Sequence, residues 1–303
     1  MDNPFVFFEN RIIRESESCI SIRNIAFNYG LGCYEGIRAY WNAEKGQLYV
    51  YRMQEHYARL LQSCKILNIN IPYTLKELCD ITIRLLQINK YTTDIYIRPI
   101  AYKGSNEEYP HLLYPENELV IYSFPMGNIG KEAMKVCISS WTRVMQNMIP
   151  PMAKATACYL NSALATTEAM QNGYDEAIFL TINGNVSEGP GENIFIISNG
   201  VLITPPITDD ILDGITRDTI IMIAKNELGM NTIIRSIPRP ELYSADEAFF
   251  TGTAIEVQPI IEIDKRKIGN GEVGFITRRL KQLYSEIVKG NNNKYSIYNT
   301  PVY

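Results

Sequence analysis

AIFLTINGNVSEGPGENIFIISNGVLITP, residues 177–205, decides how the chain is read. Its apolar runs AIFL, IFII and VLIT are each short enough for a strand and are separated by polar, glycine-containing segments. Asn183-Gly184 and Asn199-Gly200 are dipeptides that suit two-residue type I′ hairpins, where both central positions need positive φ. The stretch is therefore expected to form an antiparallel meander. A helix over 160–172, stopped by Gly173, precedes it. Beyond it, Thr216 opens an amphipathic helix with Ile220, Ile221, Ile223, Ala224 and Leu228 apolar and Gly229 as its stop. A strand, a short helix near Pro240, the strand AFFTG, another strand and a final helix follow.

Working towards the N-terminus, FVFF at 5–8 reads as a strand, and 35–40 and 47–51 as a strand pair joined through WNAEKG. A helix over 54–67 turns His56, Leu60, Leu61 and Cys64 to one side. Thr74 with Glu77 three residues on is a capping-box signature for the next helix. TDIYIRPIAY and ELVIYSF are strands rich in Ile and Tyr. FPMGNIGKEA, with its Pro, Asn and two Gly, marks a break. The expected organisation is a small N-terminal α/β domain over 1–122, an interdomain loop over 123–131, and a larger C-terminal domain over 132–303. The last is expected to hold a β meander or pseudo-barrel with helices. The polar tail GNNNKYSIYNTPVY is expected to be partly disordered. The mixture is α/β to α+β, not a regular parallel βαβ series.

Composition narrows the function. An apolar share of 46 % over 303 residues is ordinary for a globular protein. No stretch approaches the ~20 apolar residues that cross a bilayer, and MDNPFVFFENR does not read as a signal peptide. A net charge of −4 with the two signs interspersed leaves no basic stripe, so nucleic acid is set aside as a partner. Cys19, Cys33, Cys64, Cys79, Cys137 and Cys158 show no C-x-x-C spacing and read as reduced thiols, which points to the cytoplasm. Two histidines, His56 and His111, are too few for a His-rich metal site, so no metal is expected, and a His-based triad is equally hard to build.

Four segments carry candidate chemistry. Lys154, in MIPPMAKATACYLNSALATTEA, has small neighbours that let a flat group approach its stem. Burial favours the neutral form of an amine, which attacks an aldehyde. Taken alone, it reads rather as a helix-entrance lysine reaching solvent. Glu188 precedes Gly189, Pro190 and Gly191, whose glycines permit close backbone approach; a carboxylate there suits a protonated ring nitrogen. DGITRD puts N–H groups and the Thr216 hydroxyl at a helix N-terminus, a phosphate site by geometry and dipole. Gly252 and Thr253 of TGTA offer a second anion cradle. Taken alone, these three read as a tight turn, a Thr N-cap and a turn. Together the four supply an amine, a ring-nitrogen partner and two anion cradles, which a cofactor with an aldehyde, a pyridine nitrogen and a phosphate needs.

With these segments in order, the chain resembles the branched-chain amino acid aminotransferases of the fold-type IV pyridoxal-phosphate enzymes. The resemblance runs from about residue 8 to about residue 283. It is carried by NYGLGCYEGIRAY, EHYARLLQSCKIL, YIRPI, AKATACYLNSALATTEA, GYDEAIFLTINGNVSEGPGENIF, LDGITRDTII and FFTGTAIEVQPI. It implies a two-domain, D-amino acid aminotransferase-like fold with pyridoxal 5′-phosphate at the domain interface. It further implies a homodimer whose pocket residues cross the subunit interface.

By the resemblance, Lys154 is the Schiff-base lysine and proton shuttle, Glu188 binds the pyridine nitrogen and Tyr159 the ring hydroxyl oxygen. Arg59 clamps the phosphate, Ile215 and Thr216 give it N–H groups, Thr216 and Thr253 give it hydroxyls, and Leu212 lies on the ring. Tyr96 and Arg98 handle substrate carboxylates, Thr253 and Ala254 bind the α-carboxylate, and Tyr29, Tyr34, Gly36 and Gly191 shape the substrate pocket. The implied reaction moves an amino group from leucine, isoleucine or valine to 2-oxoglutarate by a ping-pong route in branched-chain amino acid biosynthesis. The alternatives on this fold are a D-amino-acid or amine transaminase and an aminodeoxychorismate lyase. Departures from the family pattern fall at Met126, Ile129, the loop GSNEEYPHLLYPEN and Gln258.

Overall fold

The computed structural model describes residues 3–127 and 129–303; residues 1, 2 and 128, inside the limits expected above, lie outside the described residues. The chain packs as two units. One comprises Met1–Gly127, Ala153–Ala157 and Ile287–Tyr303, the other Asn128–Met152 and Cys158–Glu286. Contiguous limits at 122 and 132 therefore misplace two segments. Ala153–Ala157 and the C-terminus pack with the first unit, and Ser123–Pro125 extend a strand of it rather than a loop.

In the first unit, β1 (Phe5–Phe8), β2 (Arg11–Arg14), α1 (Ile25–Tyr29), β3 (Gly32–Tyr34), β4 (Ile37–Asn42), β5 (Gln47–Tyr51), α2 (Met53–Ile66), α3 (Leu75–Asn89), β6 (Ile95–Lys103) and β7 (Asn117–Pro125) follow in order. The strands form an antiparallel sheet in the order β5-β4-β6-β7-β1-β2, with β3 on β6. Period-two alternation divides its faces. Ile37, Ala39, Ile95, Ile97, Ala101, Leu119 and Ile121 join the core with Leu60, Leu78, Leu85 and Leu86 of α2 and α3. Tyr34, Arg38, Tyr96, Arg98 and Tyr122 occupy the other face, as the pairs Arg38–Tyr96 and Arg98–Tyr122 require. Thr74 caps α3 with the expected reciprocal Glu77 contact.

The tail is ordered, against expectation. Asn299–Pro301 pairs antiparallel with β5 and Val302 is buried in the core. A strand partner and one apolar anchor outweigh the polar composition.

In the second unit come β8 (Met134–Thr142), α4 (Tyr159–Gln171), β9 (Glu176–Leu180), β10 (Asn193–Ser198), β11 (Val201–Thr204), α5 (Ile215–Leu228), β12 (Thr232–Ile234), α6 (Arg239–Tyr243), β13 (Glu247–Gly252), β14 (Glu256–Ile263), β15 (Arg266–Lys267) and α7 (Phe275–Val288). The sheet order is β12-β11-β10-β13-β14-β8-β9, with β15 on β14. It is mixed: β8 runs parallel to both β14 and β9, and β12 parallel to β11. The expected meander is split into two hairpins, one folding residues 185–188 back on β9 and one joining β10 to β11, because β13, β14 and β8 stand between β9 and β10.

The two Asn-Gly dipeptides also differ. Asn199 and Gly200 both have positive φ, as a two-residue hairpin requires. In the other turn only Gly184 does; the Thr181 N–H donates to the Asn185 carbonyl and leaves a three-residue loop between them. A longer loop needs one left-handed position rather than two.

Candidate active site

The first unit holds Lys154. Its segment is fixed to β3 and α2 by backbone contacts: the Tyr34 N–H donates to the Lys154 carbonyl at 3.0 Å, and the Lys154 N–H donates to Ser63 Oγ at 3.3 Å. Thr156 Oγ1 donates to the carbonyls of Gly30 and Gly32. Gly30 lies in the left-handed region, and a β-carbon there would meet Ala157 Cβ at 3.2 Å. The segment therefore demands small residues on both sides. The lysine is half-buried, with Nζ 5.1 Å from the centre of the Tyr34 ring.

Tyr34 and Tyr96 also flank Arg98, whose guanidinium carbon lies 4.2 and 5.0 Å from their ring centres. Arg98 Nη2 donates to Tyr96 Oη at 3.0 Å, and among the described residues no carboxylate pairs with it. Burial lowers the guanidinium pKa, but the hydroxyls of Tyr96, Tyr34 and Tyr122 outweigh it. Gly36 has to be glycine, since a β-carbon would overlap Tyr96 Oη. Tyr29 ends α1 and donates from Oη to the Glu108 carbonyl.

Arg59 projects from α2 into a contact that sequence reading did not foresee. Its Nε and Nη2 donate to the two oxygens of Glu35 at 2.6 and 2.9 Å, and His56 Nδ1 meets Oε2 at 2.8 Å. Glu35 is fully buried. Burial pushes its carboxyl up, and Arg59 and His56 more than reverse this, holding it well below the usual range. One edge of the guanidinium fork is thus committed within the protein. Acidic Glu35 between apolar β3 and β4 was the available signal, because a buried acid needs a paired cation.

In the second unit, buried Glu188 follows a short bridge to β9. Its Oε1 pairs with Arg143 Nη2 at 2.8 Å, and its Oε2 accepts from Asn193 Nδ2 and the Leu212 N–H, both at 3.0 Å. Asn193 Nδ2 also donates to the Leu212 carbonyl. Asn193, two residues beyond Gly191, thereby ties Glu188 to the DGIT loop. Arg143 was not foreseen; it ends a strand with no motif about it. Gly214 caps α5 without a side-chain bond, and Ile215 is the first helical residue. Thr216, expected to open the helix, sits buried in its first turn. Gly214 in place of a polar cap leaves room for Asn193 Oδ1.

Thr253 and Ala254 lie in the turn joining β13 to β14. Gly252 brings that turn against Gly191, whose carbonyl a β-carbon would meet at 3.3 Å. Tyr159 is the first residue of α4 and is half-buried. Gln258 is fully buried, paired across the sheet with Phe250. Among the described residues no group of His, Cys, Asp and Glu is arranged to hold a metal, and no helix is long and apolar enough to cross a membrane.

A half-buried amine, a buried carboxylate held by three donors, and a helix N-terminus beside it fit a pyridoxal phosphate enzyme. Residues 32–263 match the family model described as amino-transferase class IV. The chain is 46 % identical over 301 residues to a probable branched-chain-amino-acid aminotransferase of Aquifex aeolicus, covering 99 % of this chain and 97 % of that protein. A branched-chain aminotransferase structure from Thermoproteus uzoniensis, solved with norvaline, superposes with a TM-score of 0.95 at 45 % identity, covering 99 % of this chain and 100 % of that one. A branched-chain amino acid aminotransferase from Thermobaculum terrenum, in its PLP-bound holo form, gives 0.96 at 39 % identity with full coverage of both. The chain belongs to the class IV aminotransferase family. It is a pyridoxal-5′-phosphate-dependent aminotransferase of the fold-type IV architecture.

Proposed function

We propose that the donor is a branched-chain L-amino acid (leucine, isoleucine or valine) and the acceptor 2-oxoglutarate, in a ping-pong exchange. The observation that carries this reading is the Tyr34–Tyr96–Arg98 cluster beside Lys154. Its rings offer an apolar wall to an aliphatic side chain. Its guanidinium, without a carboxylate of its own, suits the second carboxylate of the acceptor. The names of the full-length relatives support the same reading.

The bound cofactor supplies an aldehyde for the amino group and an electron-withdrawing ring. Lys154 would hold that aldehyde and would carry the proton from the donor's Cα. Glu188 would keep the ring nitrogen protonated, Tyr159 would bond the ring hydroxyl oxygen, and Leu212 would pack on the ring. Arg59, the Ile215 and Thr216 N–H groups, and the Thr216 and Thr253 hydroxyls would hold the phosphate. Thr253 and Ala254 would receive the α-carboxylate, and Tyr29, Tyr34, Gly36 and Gly191 would shape the substrate pocket. Met126 and Ile129, which depart from the pattern the resemblance implies, are assigned to pocket shape.

A homodimer is part of this reading. Ile22 at 82 % and Phe27 at 74 % exposure stand around an apolar groove of about 400 Å³, a surface that favours burial against a second copy. A biosynthetic role in the cytoplasm accords with the reduced cysteines.

The test is direct. The purified protein, supplied with pyridoxal phosphate, is mixed with single L- and D-amino acids while the cofactor's visible band is followed. Loss of the band with L-leucine, L-isoleucine and L-valine is expected; response to D-amino acids alone sinks the substrate assignment. Lys154→Ala should abolish mass gain after borohydride trapping.

A further inference from the structure

Lys103, at the end of β6, is 1 % exposed. Lysine is almost never this buried without a paired acid. Its Nζ donates to the carbonyls of Asn68 at 2.7 Å and Tyr114 at 2.9 Å, and among the described residues no carboxylate pairs with it. Burial pushes the ammonium below the ordinary lysine range, with Glu116 opposing. Such a charge destabilises the fold unless its bonds are useful.

Those bonds hold a loop. Lys103 and Asn117 are the last pair of β6 and β7, so residues 104–116 connect the two strands. The loop is anchored at several other points. Asn68 Nδ2 donates to the Leu112 carbonyl, Asn24 Nδ2 to the Gly104 carbonyl and the Ile25 N–H to the Ser105 carbonyl. Its outer part is open, with Tyr109 75 % and Leu113 80 % exposed. There the Glu108 carbonyl accepts from Tyr29 Oη at 2.9 Å. Tyr29 is followed by Gly30, whose carbonyl accepts from Thr156 two residues beyond Lys154. Hydrogen bonds linked by short stretches of backbone thus join the buried ammonium, the loop, Tyr29 and the lysine segment.

We propose that Lys103 is a buried tether. By clamping the turn after α2 at Asn68 to the loop at Tyr114, it fixes residues 104–116 and with them Tyr29, and so sets donor affinity without touching the substrate. Lys103 is a positioning residue. The affinity part rests on Tyr29 being a pocket residue, as proposed above; the tether part does not.

Lys103→Met keeps the length of the side chain and removes the donor. In the holoenzyme, chymotryptic cleavage after Leu112 or Leu113 should accelerate about tenfold, with no new cleavage elsewhere. KM for L-leucine should rise several-fold while kcat stays within twofold. A merely structural role would move thermal stability and spread cleavage over the chain. Cleavage in 104–116 no faster than in the parent overturns the tether. Faster cleavage with unchanged KM overturns the link to the pocket. Because proteolysis needs no substrate, an enzyme inactive on every amino acid fails the functional reading and still reports on the tether. Should Lys103→Met not fold, Lys103→Gln takes its place: its amide is neutral and reaches less far, so the clamp on the Asn68 and Tyr114 carbonyls is still lost. Unaccelerated loop cleavage in that variant counts equally against the proposal.

Discussion

Gly214→Ala adds one methyl group where Asn193 and the α5 cap meet. A β-carbon on Gly214 would overlap Asn193 Oδ1 and stand 3.0 Å from its Cγ, against roughly 3.5–4.0 Å for relaxed carbon contacts. The amide has to retreat by roughly 1 Å. Its Nδ2 bonds, 3.0 Å to Glu188 and 2.9 Å to the Leu212 carbonyl, then exceed hydrogen-bonding range. A buried bond to a charged acceptor contributes about 1.5–3 kcal/mol and a neutral one about 1 kcal/mol, so the loss is about 3 kcal/mol. In a unit of about 150 residues this lowers the unfolding midpoint by roughly 6–12 °C. Glu188, losing one of its positioning donors, should also hold the cofactor less tightly. The assay is thermal unfolding of the apo- and holoprotein together with cofactor titration by fluorescence. Gly191→Ala is the control: a β-carbon there meets nothing within 4 Å, and its midpoint should stay within about 2 °C of the parent. If Gly214→Ala proves as stable as that control, the reasoning about Asn193 is wrong.

Three other outcomes are expected. Glu35 has a depressed carboxyl pKa, so its stabilising contribution is complete above the ordinary value of 4.5 and declines as pH falls below it; acid unfolding of Glu35→Gln, which lacks the titrating group, should show a shallower slope there, and an identical slope contradicts the pairing. Arg98→Gln should raise KM for 2-oxoglutarate about tenfold to hundredfold, about 1.4–2.8 kcal/mol, and leave the leucine half-reaction within a few-fold; equal losses in both would deny Arg98 an acceptor-specific role. Deleting residues 299–303 removes the strand paired with β5 and buried Val302, worth about 2 kcal/mol or more from the valine alone, and should lower the midpoint of the first unit by roughly 4–8 °C by calorimetry.

Local signals were legible where one residue type answers one local need. Thr74 and Glu77 announced the cap of α3, Asn199-Gly200 its hairpin, Gly173 and Gly229 their helix ends. Tyr96 and Arg98, two residues apart in a strand, necessarily share a face of β6. The site was less legible. Glu35, His56 and Arg143 stand in no pattern that spacing reveals, because their significance is a contact with a residue distant in sequence: 24 positions separate Arg59 from Glu35. Asn183-Gly184 misled because the turn type depends on where the flanking strands pair, which the dipeptide does not encode.

By itself the sequence determined the class of chemistry only through the set: a lysine among small residues, a carboxylate before a glycine pair and a helix N-terminus with a threonine each have an ordinary reading, and their order along the chain carries the family resemblance. It also determined most helices and strands, whose periodicities are local. Only the tertiary structure decided which strands are neighbours, that β9 and β10 lie apart, that the tail closes the first sheet, and that Arg59 and Glu188 are each held by buried partners. The reason is physical. Hydrogen bonding along a chain acts over a few residues, whereas burying a charge is tolerated only when a distant segment brings the opposite charge or a full set of donors to it.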